Sequence, residues 1–315
     1  MNLTDYNHFF SWRGNNLTFE ESLPFYWTLF TLLLLLMFFV WIFKRPIKNK
    51  IKSSKYLAQN KSVIEAMIGF GLLFGTFFRI AVYMIQGYPL KFESLPLHFC
   101  RIMLLISSIM LMANKSRYIS TISWIMMGSA LIGILLADLT NSPISTLGIG
   151  QGPDGQDTIR YSVGLDSWAF YDFVIVHFSV LFIGFWYLTF SNKSFTISNS
   201  FKSITFLIVL TLLIFFLDWI LFIYAPNRGW KANWFYLGNN EINSIFKNGN
   251  PLVEKYWFFK WYALPFTFVS AGIAWFFLFT FFYFAQDILY INKTENKWII
   301  RIRKSTTTKT FFRRY

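Results

Sequence analysis

Seven runs of about twenty mostly apolar residues constrain this chain more than any other feature. They lie near Phe25–Phe43, Val63–Ile85, Leu95–Met112, Ile119–Ala137, Trp168–Phe190, Ile204–Ala225 and Trp257–Ala285. About twenty residues of helix match the roughly 30 Å hydrocarbon core of a bilayer, and backbone in hydrocarbon must bond to itself. The expected fold class is therefore all-α, a polytopic membrane protein with about seven transmembrane helices in one bundle. Composition supports lipid as the solvent. Charged residues are 14% of the chain against roughly 25% in soluble domains. The 40 Phe and 13 Trp exceed what one soluble core of this length hides. Residues 1–290 form the expected transmembrane domain and 291–315 a basic cytoplasmic tail.

Lys and Arg in alternate connections set the expected orientation. Lys44, Arg45, Lys48, Lys50, Lys52, Lys55 and Lys61 follow the first run, Lys115 and Arg117 the third, and Lys193 and Lys202 the fifth. The tail adds Lys293, Lys297, Arg301, Arg303, Lys304, Lys309, Arg313 and Arg314. The other connections are acidic or mixed, and only the 226–256 segment there is moderately basic. The pattern predicts an outer amino terminus, a cytoplasmic carboxy terminus and a multi-pass protein of the cell membrane. The net charge of +14 is then a membrane flank, so no nucleic-acid partner is expected. The first thirty residues show no cleaved signal peptide, since Asp5, Glu20 and Glu21 precede the apolar run without a Lys/Arg-led start.

Short motifs add little by themselves. GIGQGPDG at 148–155 neither follows a strand nor opens a helix, and is not a phosphate cradle. Gly71 and Gly75 form a small-xxx-small surface, expected to serve packing between helices of the same chain rather than dimerisation.

Ionisable groups inside spanning helices are costly and mark function by default. With the predicted orientation, Arg79, His98, Cys100, Arg101, Asp138, Asp172, His177 and Asp218 share the outer half, and Glu65 sits alone near the cytoplasmic end. A polar pocket open to the outside is expected. Arg79 also reads as an ion-pair partner for Asp138 or Asp218, and Asp138 and Asp172 as interfacial residues.

The sole cysteine, Cys100, excludes an intrachain disulfide. A lone membrane thiol is ordinarily a filler, but Arg101 and His98 beside it favour the thiolate. On a regular helix His98 points nearly opposite to Cys100, unless Pro96 places it in an irregular first turn. His177 on the fifth run is the better base, with Asp218 or Asp172 fixing its tautomer, a Cys/His/acid arrangement. No close-spaced ligand pair accompanies His98, His177 and Asp138 or Asp218, so no metal or cofactor is expected.

The segment Leu95-Pro-Leu-His-Phe-Cys-Arg101 resembles the "LPLHxC" start of the third helix in YwaF-like bacterial integral membrane proteins. Asp172–His177, DFVIVH, is similar to their helix-five motif, and Lys231–Leu237 to their G-x-N-Y-x-x-L loop, with Lys231 altering the usual glycine spacing and Trp234 replacing tyrosine. Their relatives, the transmembrane protein 164 group, look like cysteine-dependent acyltransferases acting on phospholipids. The resemblance implies a nucleophile at Cys100, a base at His177 and Asn233 at the outer mouth.

The function expected is a lipid acyltransferase or transacylase, with membrane lipids as donors and a lipid or lipoprotein as acyl acceptor. Cys100, His177 and Asp218 form its catalytic set, and His98, Arg101, Arg79, Asp138, Asp172 and Asn233 its substrate-binding set. Arg101, Arg79 or Asn233 holds the oxyanion or the donor phosphate. A transporter or membrane-complex subunit using the same polar groups is the rival. It predicts polar residues continuing toward the cytoplasm.

Overall fold

The computed structural model describes residues 8–11, 16–137, 163–190, 195–225, 227–243, 245–285, 288–294, 297–302 and 311–312. Seven helices in it are long and apolar enough to cross a membrane. They are built on α1 (Phe19–Ile42), α3 (Lys55–Ile85), α4 (Phe99–Met112, its span counted from Lys91), α5 (Ile119–Leu135, counted from Ser116), α6 (Trp168–Phe190), α7 (Ile197–Tyr224) and α9 (Leu264–Ala285, counted from Trp261); two short helices, α2 (Lys44–Ser53) and α8 (Pro251–Lys255), connect them. The end of the bundle at which α1 begins is here the amino-terminal face. Passing alternately, α3, α5 and α7 end on that face, while α4, α6 and α9 begin there.

Local chemistry explains the boundaries. Thr18 caps α1 in a reciprocal capping box with Glu21, so this helix starts before its apolar run. Ser54 caps α3, and Lys55–Asn60 form a polar prolongation of that helix. Pro96 precedes the α4 start, and the chain enters it through a 3-10 turn, Lys91–Ser94, with His98 in extended backbone as the N-cap. Hydropathy alone sees this entry as part of the span.

The innermost span is α5, with 61% of its apolar window buried against 17% for the last span. It packs against α4, α6, α7 and α9. Trp124 anchors it by donating Nε1 to Ser203 Oγ of α7 at 2.8 Å, and the Tyr26 hydroxyl of α1 reaches Ile134 O at 2.9 Å.

Two features depart from expectation. A Cβ on Gly71 or Gly75 would meet nothing within 4 Å, so the small-xxx-small pair does not bring helices of this chain together. Gly69 does, because a Cβ there would lie 2.6 Å from Ser108 O of α4. After α9 the chain forms an antiparallel hairpin, β1 (Leu289–Thr294) and β2 (Lys297–Ile302), with Leu289 opposite Ile302. A lone hairpin is marginal in water, and β1 lies against α1 and α2.

At the opposite face Glu65 forms a clasp. It accepts from Ser116 Oγ at 2.8 Å and from the Tyr187 hydroxyl at 2.8 Å, with Lys61 Nζ at 3.6 Å. These contacts join α3, the α4–α5 turn and α6.

Candidate functional site

On the amino-terminal face, four charges meet between α3, α4 and α6. Arg101 of α4 donates Nη2 to Asp172 Oδ2 of α6, and Arg79 Nε of α3 lies 3.1 Å from the same oxygen. Arg79 also donates Nη1 to the Glu93 carbonyl, pairs its Nη2 with the Glu93 carboxylate at 3.6 Å, and lies over the Tyr83 ring at 4.1 Å. The Tyr88 hydroxyl reaches Glu93 at 3.4 Å. Two cations thus face two anions, the arrangement that makes buried charge tolerable. Asp172 is buried at the hub of this cluster rather than interfacial, and Arg79 pairs with it and Glu93 rather than with Asp218. Arg101 Nη1 is buried without a hydrogen-bond partner.

Beside the cluster lies Cys100, buried on the first turn of α4. Ser129 of α5 stands beside its thiol. The Ser129 hydroxyl donates to Met126 O at 2.9 Å.

His177 of α6 reaches α5 one turn further along. Its Nδ1 lies 2.7 Å from Phe173 O. A carbonyl only accepts, so Nδ1 carries the proton and Nε2 presents a lone pair. The ring seats on Gly133, where a Cβ would lie 2.4 Å from Cδ2 and 2.5 Å from Nε2. Ser129 and Gly133, four residues apart on one face of α5, thus hold thiol and imidazole in adjacent seats. Among the described residues no hydrogen bond joins Cys100 directly to His177. The charge of Arg101 is felt at Cys100, His98 and His177 alike, so all three lie within its electrostatic reach. His98 precedes the regular helix, so the helical angle that separated it from Cys100 does not apply.

Asp218 stands elsewhere. Its Oδ1 accepts Trp234 N at 3.2 Å, tying α7 to the loop that follows it. The tautomer of His177 is set by the Phe173 carbonyl, not by Asp218 or Asp172 as expected. Asn233 works within that loop, its Oδ1 accepting Gly238 N at 3.1 Å. Phe235 and Tyr236 both adopt φ of 58°, left-handed backbone that costs a non-glycine residue about 1–3 kcal/mol. Asn243 helps hold this turn, donating Nδ2 to Tyr236 O at 2.7 Å. Asp138 lies outside the described residues.

Glu93, Ser129 and Gly133 are the site residues that sequence reasoning missed. Glu93 carries a signal in the sequence, an acid close before the third span. Hydroxyl and glycine seats on α5 carry none without a neighbour. No group of three potential metal ligands occurs among the described residues. A groove of about 500 Å³ lined by Val63, Met67, Phe70 and Met112 lies toward the opposite face, away from Cys100.

A family model described as the TMEM164 family matches residues 10–283. No curated protein and no solved structure matches. The match covers most of the chain, which therefore belongs to the TMEM164 family.

Proposed function

We propose that this member of the TMEM164 family is a membrane-embedded lipid acyltransferase of the cell membrane, with the amino-terminal face outward and Cys100 as nucleophile. One observation carries the reading. The chain's only thiol, an imidazole with a free Nε2 lone pair and a buried guanidinium nitrogen without a partner gather on one face. These are the parts acyl transfer requires: nucleophile, base and oxyanion donor.

The chemistry runs in two halves. The Cys100 S–H gives its proton to His177 Nε2 as sulfur adds to an ester carbonyl of a phospholipid. Negative charge on the carbonyl oxygen is met by Arg101 Nη1. The C–O bond then breaks, the departing lysophospholipid oxygen takes the proton from His177, and the acyl chain remains on sulfur as a thioester. A hydroxyl or amine acceptor next gives its proton to His177, attacks the thioester and expels the thiolate, which regains that proton. Asp172 is a positioning residue, holding Arg101 through Nη2 so that Nη1 points free.

A passage for solute is a poorer fit. Leu104, Ile125, Met126 and Leu181 are all buried side chains between the charged cluster and Glu65, and a transport path would have to displace them.

Reconstituted protein given phospholipid with an isotope-labelled acyl chain and an unlabelled lysophospholipid tests the proposal. Labelled product forms with the unaltered chain and falls to background in Cys100→Ala and His177→Gln. Transfer by Cys100→Ala at the rate of the unaltered protein overturns it.

A further inference from the structure

The connection between α7 and α9 is moderately basic, against the charge pattern of the other connections on the amino-terminal face. Two of its lysines rest on rings of the chain itself, Lys231 over Phe222 at 4.4 Å and Lys255 over Tyr256 at 5.1 Å. Lys260 instead lines a pocket of about 490 Å³, together with Glu254, Asn240, Asn248, Trp261 and Tyr262. That volume falls within the roughly 300–1,000 Å³ of small-ligand sites. Among the described residues neither Glu254 nor Lys260 makes an ion pair. One pocket thus carries a cation and an anion that do not neutralise each other.

The walls of this pocket are fixed by Asn240, which is buried. Its Oδ1 accepts from Trp261 N at 2.7 Å, its Nδ2 donates to the Phe246 and Phe259 carbonyls, and its own carbonyl accepts from Asn248 N at 2.9 Å. Asn250 caps α8 by accepting from Leu252 N at 2.9 Å, which sets the buried Val253 inward and leaves Glu254 exposed beside it. The depth is that of lipid headgroups. The last span is counted from Trp261, so Lys260 stands at its membrane end. The Trp261 ring lies 6.4 Å from that of Trp219, in the last two turns of α7. Trp257, Tyr262 and Phe266 are exposed around it, and Trp and Tyr gather where a bilayer meets water.

We infer that this pocket binds the headgroup of a zwitterionic phospholipid from the leaflet at the amino-terminal face, Lys260 meeting the phosphate and Glu254 the ammonium. Charge complementarity selects this occupant. An anionic lipid would satisfy Lys260 and be repelled by Glu254, whereas a headgroup with both signs satisfies both. Trp261 and Tyr262 form the wall on the acyl side. None of the lining residues belongs to the cluster at Cys100, and the inference does not depend on acyl transfer.

Native mass spectrometry of the full chain tests it, carried as Cys100→Ala so that no bound lipid is consumed. Phosphatidylethanolamine and phosphatidylglycerol with identical acyl chains share the phosphate, and only the first has an ammonium. The chain binds phosphatidylethanolamine about fivefold more tightly, the effect of one exposed to half-buried charge contact. Glu254→Gln brings the two lipids to within about twofold by weakening phosphatidylethanolamine alone. Lys260→Gln weakens both by about fivefold, since both present a phosphate. Both side chains are exposed, so the variants keep the fold. Equal affinity of the Cys100→Ala chain for the two lipids overturns the inference, and so does an unchanged preference in Glu254→Gln. Free glycerophosphoethanolamine bound as tightly as the lipid also overturns it.

Discussion

Replacing Asp172 by Asn tests what holds the amino-terminal face together. The change keeps side-chain volume and removes one negative charge from a cluster in which a single carboxylate oxygen serves Arg101 Nη2 and Arg79 Nε. Arg79 retains Glu93, through its carbonyl and its carboxylate. Arg101 has no partner to fall back on at Nη1, which is buried without a hydrogen bond. The damage therefore concentrates on Arg101, a charge 7% exposed. Removing one partner of a buried ion pair costs about 3–5 kcal/mol, because the other charge stays buried. Glu93 is less enclosed and Arg79 keeps Asp172, so Glu93→Gln costs less, about 1–2 kcal/mol. Reversible unfolding by SDS titration in mixed micelles reads these values. Adding Arg101→Met to an Asp172→Leu variant removes the stranded charge, and the double variant is more stable than the sum of single losses by at least about 2 kcal/mol. An Asp172→Asn loss below about 1 kcal/mol, or strict additivity in that cycle, refutes the reasoning.

Two further outcomes follow from the packing. Gly133→Ala pushes the His177 ring from its seat, since the new methyl would start 2.4 Å from Cδ2; unfolding measurements show a loss of about 1–3 kcal/mol, and acyl transfer falls about 100-fold for a displacement near 1 Å. An acyl-transfer rate unchanged in Gly133→Ala removes His177 from the mechanism. Glu65→Ala strands the Ser116 and Tyr187 hydroxyls that now share its carboxylate, costing about 2–4 kcal/mol on the same SDS titration, whereas Glu65→Gln keeps an acceptor and costs less.

The hydrophobic runs made the spans legible because a bilayer imposes length and apolarity on any helix that crosses it. Their ends were less so. α1 starts at Phe19 rather than near Phe25 because the Thr18–Glu21 capping box reaches into the polar flank. The last helix starts at Leu264 rather than near Trp257 because two 3-10 turns, Trp257–Phe259 and Trp261–Ala263, precede it. Depth along a helix was also readable, which is why Arg79, Cys100, Arg101, Asp172 and His177 fell together on one face. Azimuth was not. Two helices can bring residues to one depth and leave them on different sides, as Asp218 shows by meeting Trp234 instead of His177. The seats for Cys100 and His177 on α5 come from Ser129 and Gly133, residues whose type is ordinary in any membrane helix.

The most direct measurement is the mass of the intact protein after incubation with phospholipid and no acceptor. With a single cysteine, an acyl-enzyme has one site. The account predicts one added acyl chain, released by neutral hydroxylamine, mapped to Cys100 and discharged when lysophospholipid is supplied. Acyl transfer that proceeds with Cys100 never carrying a chain contradicts it.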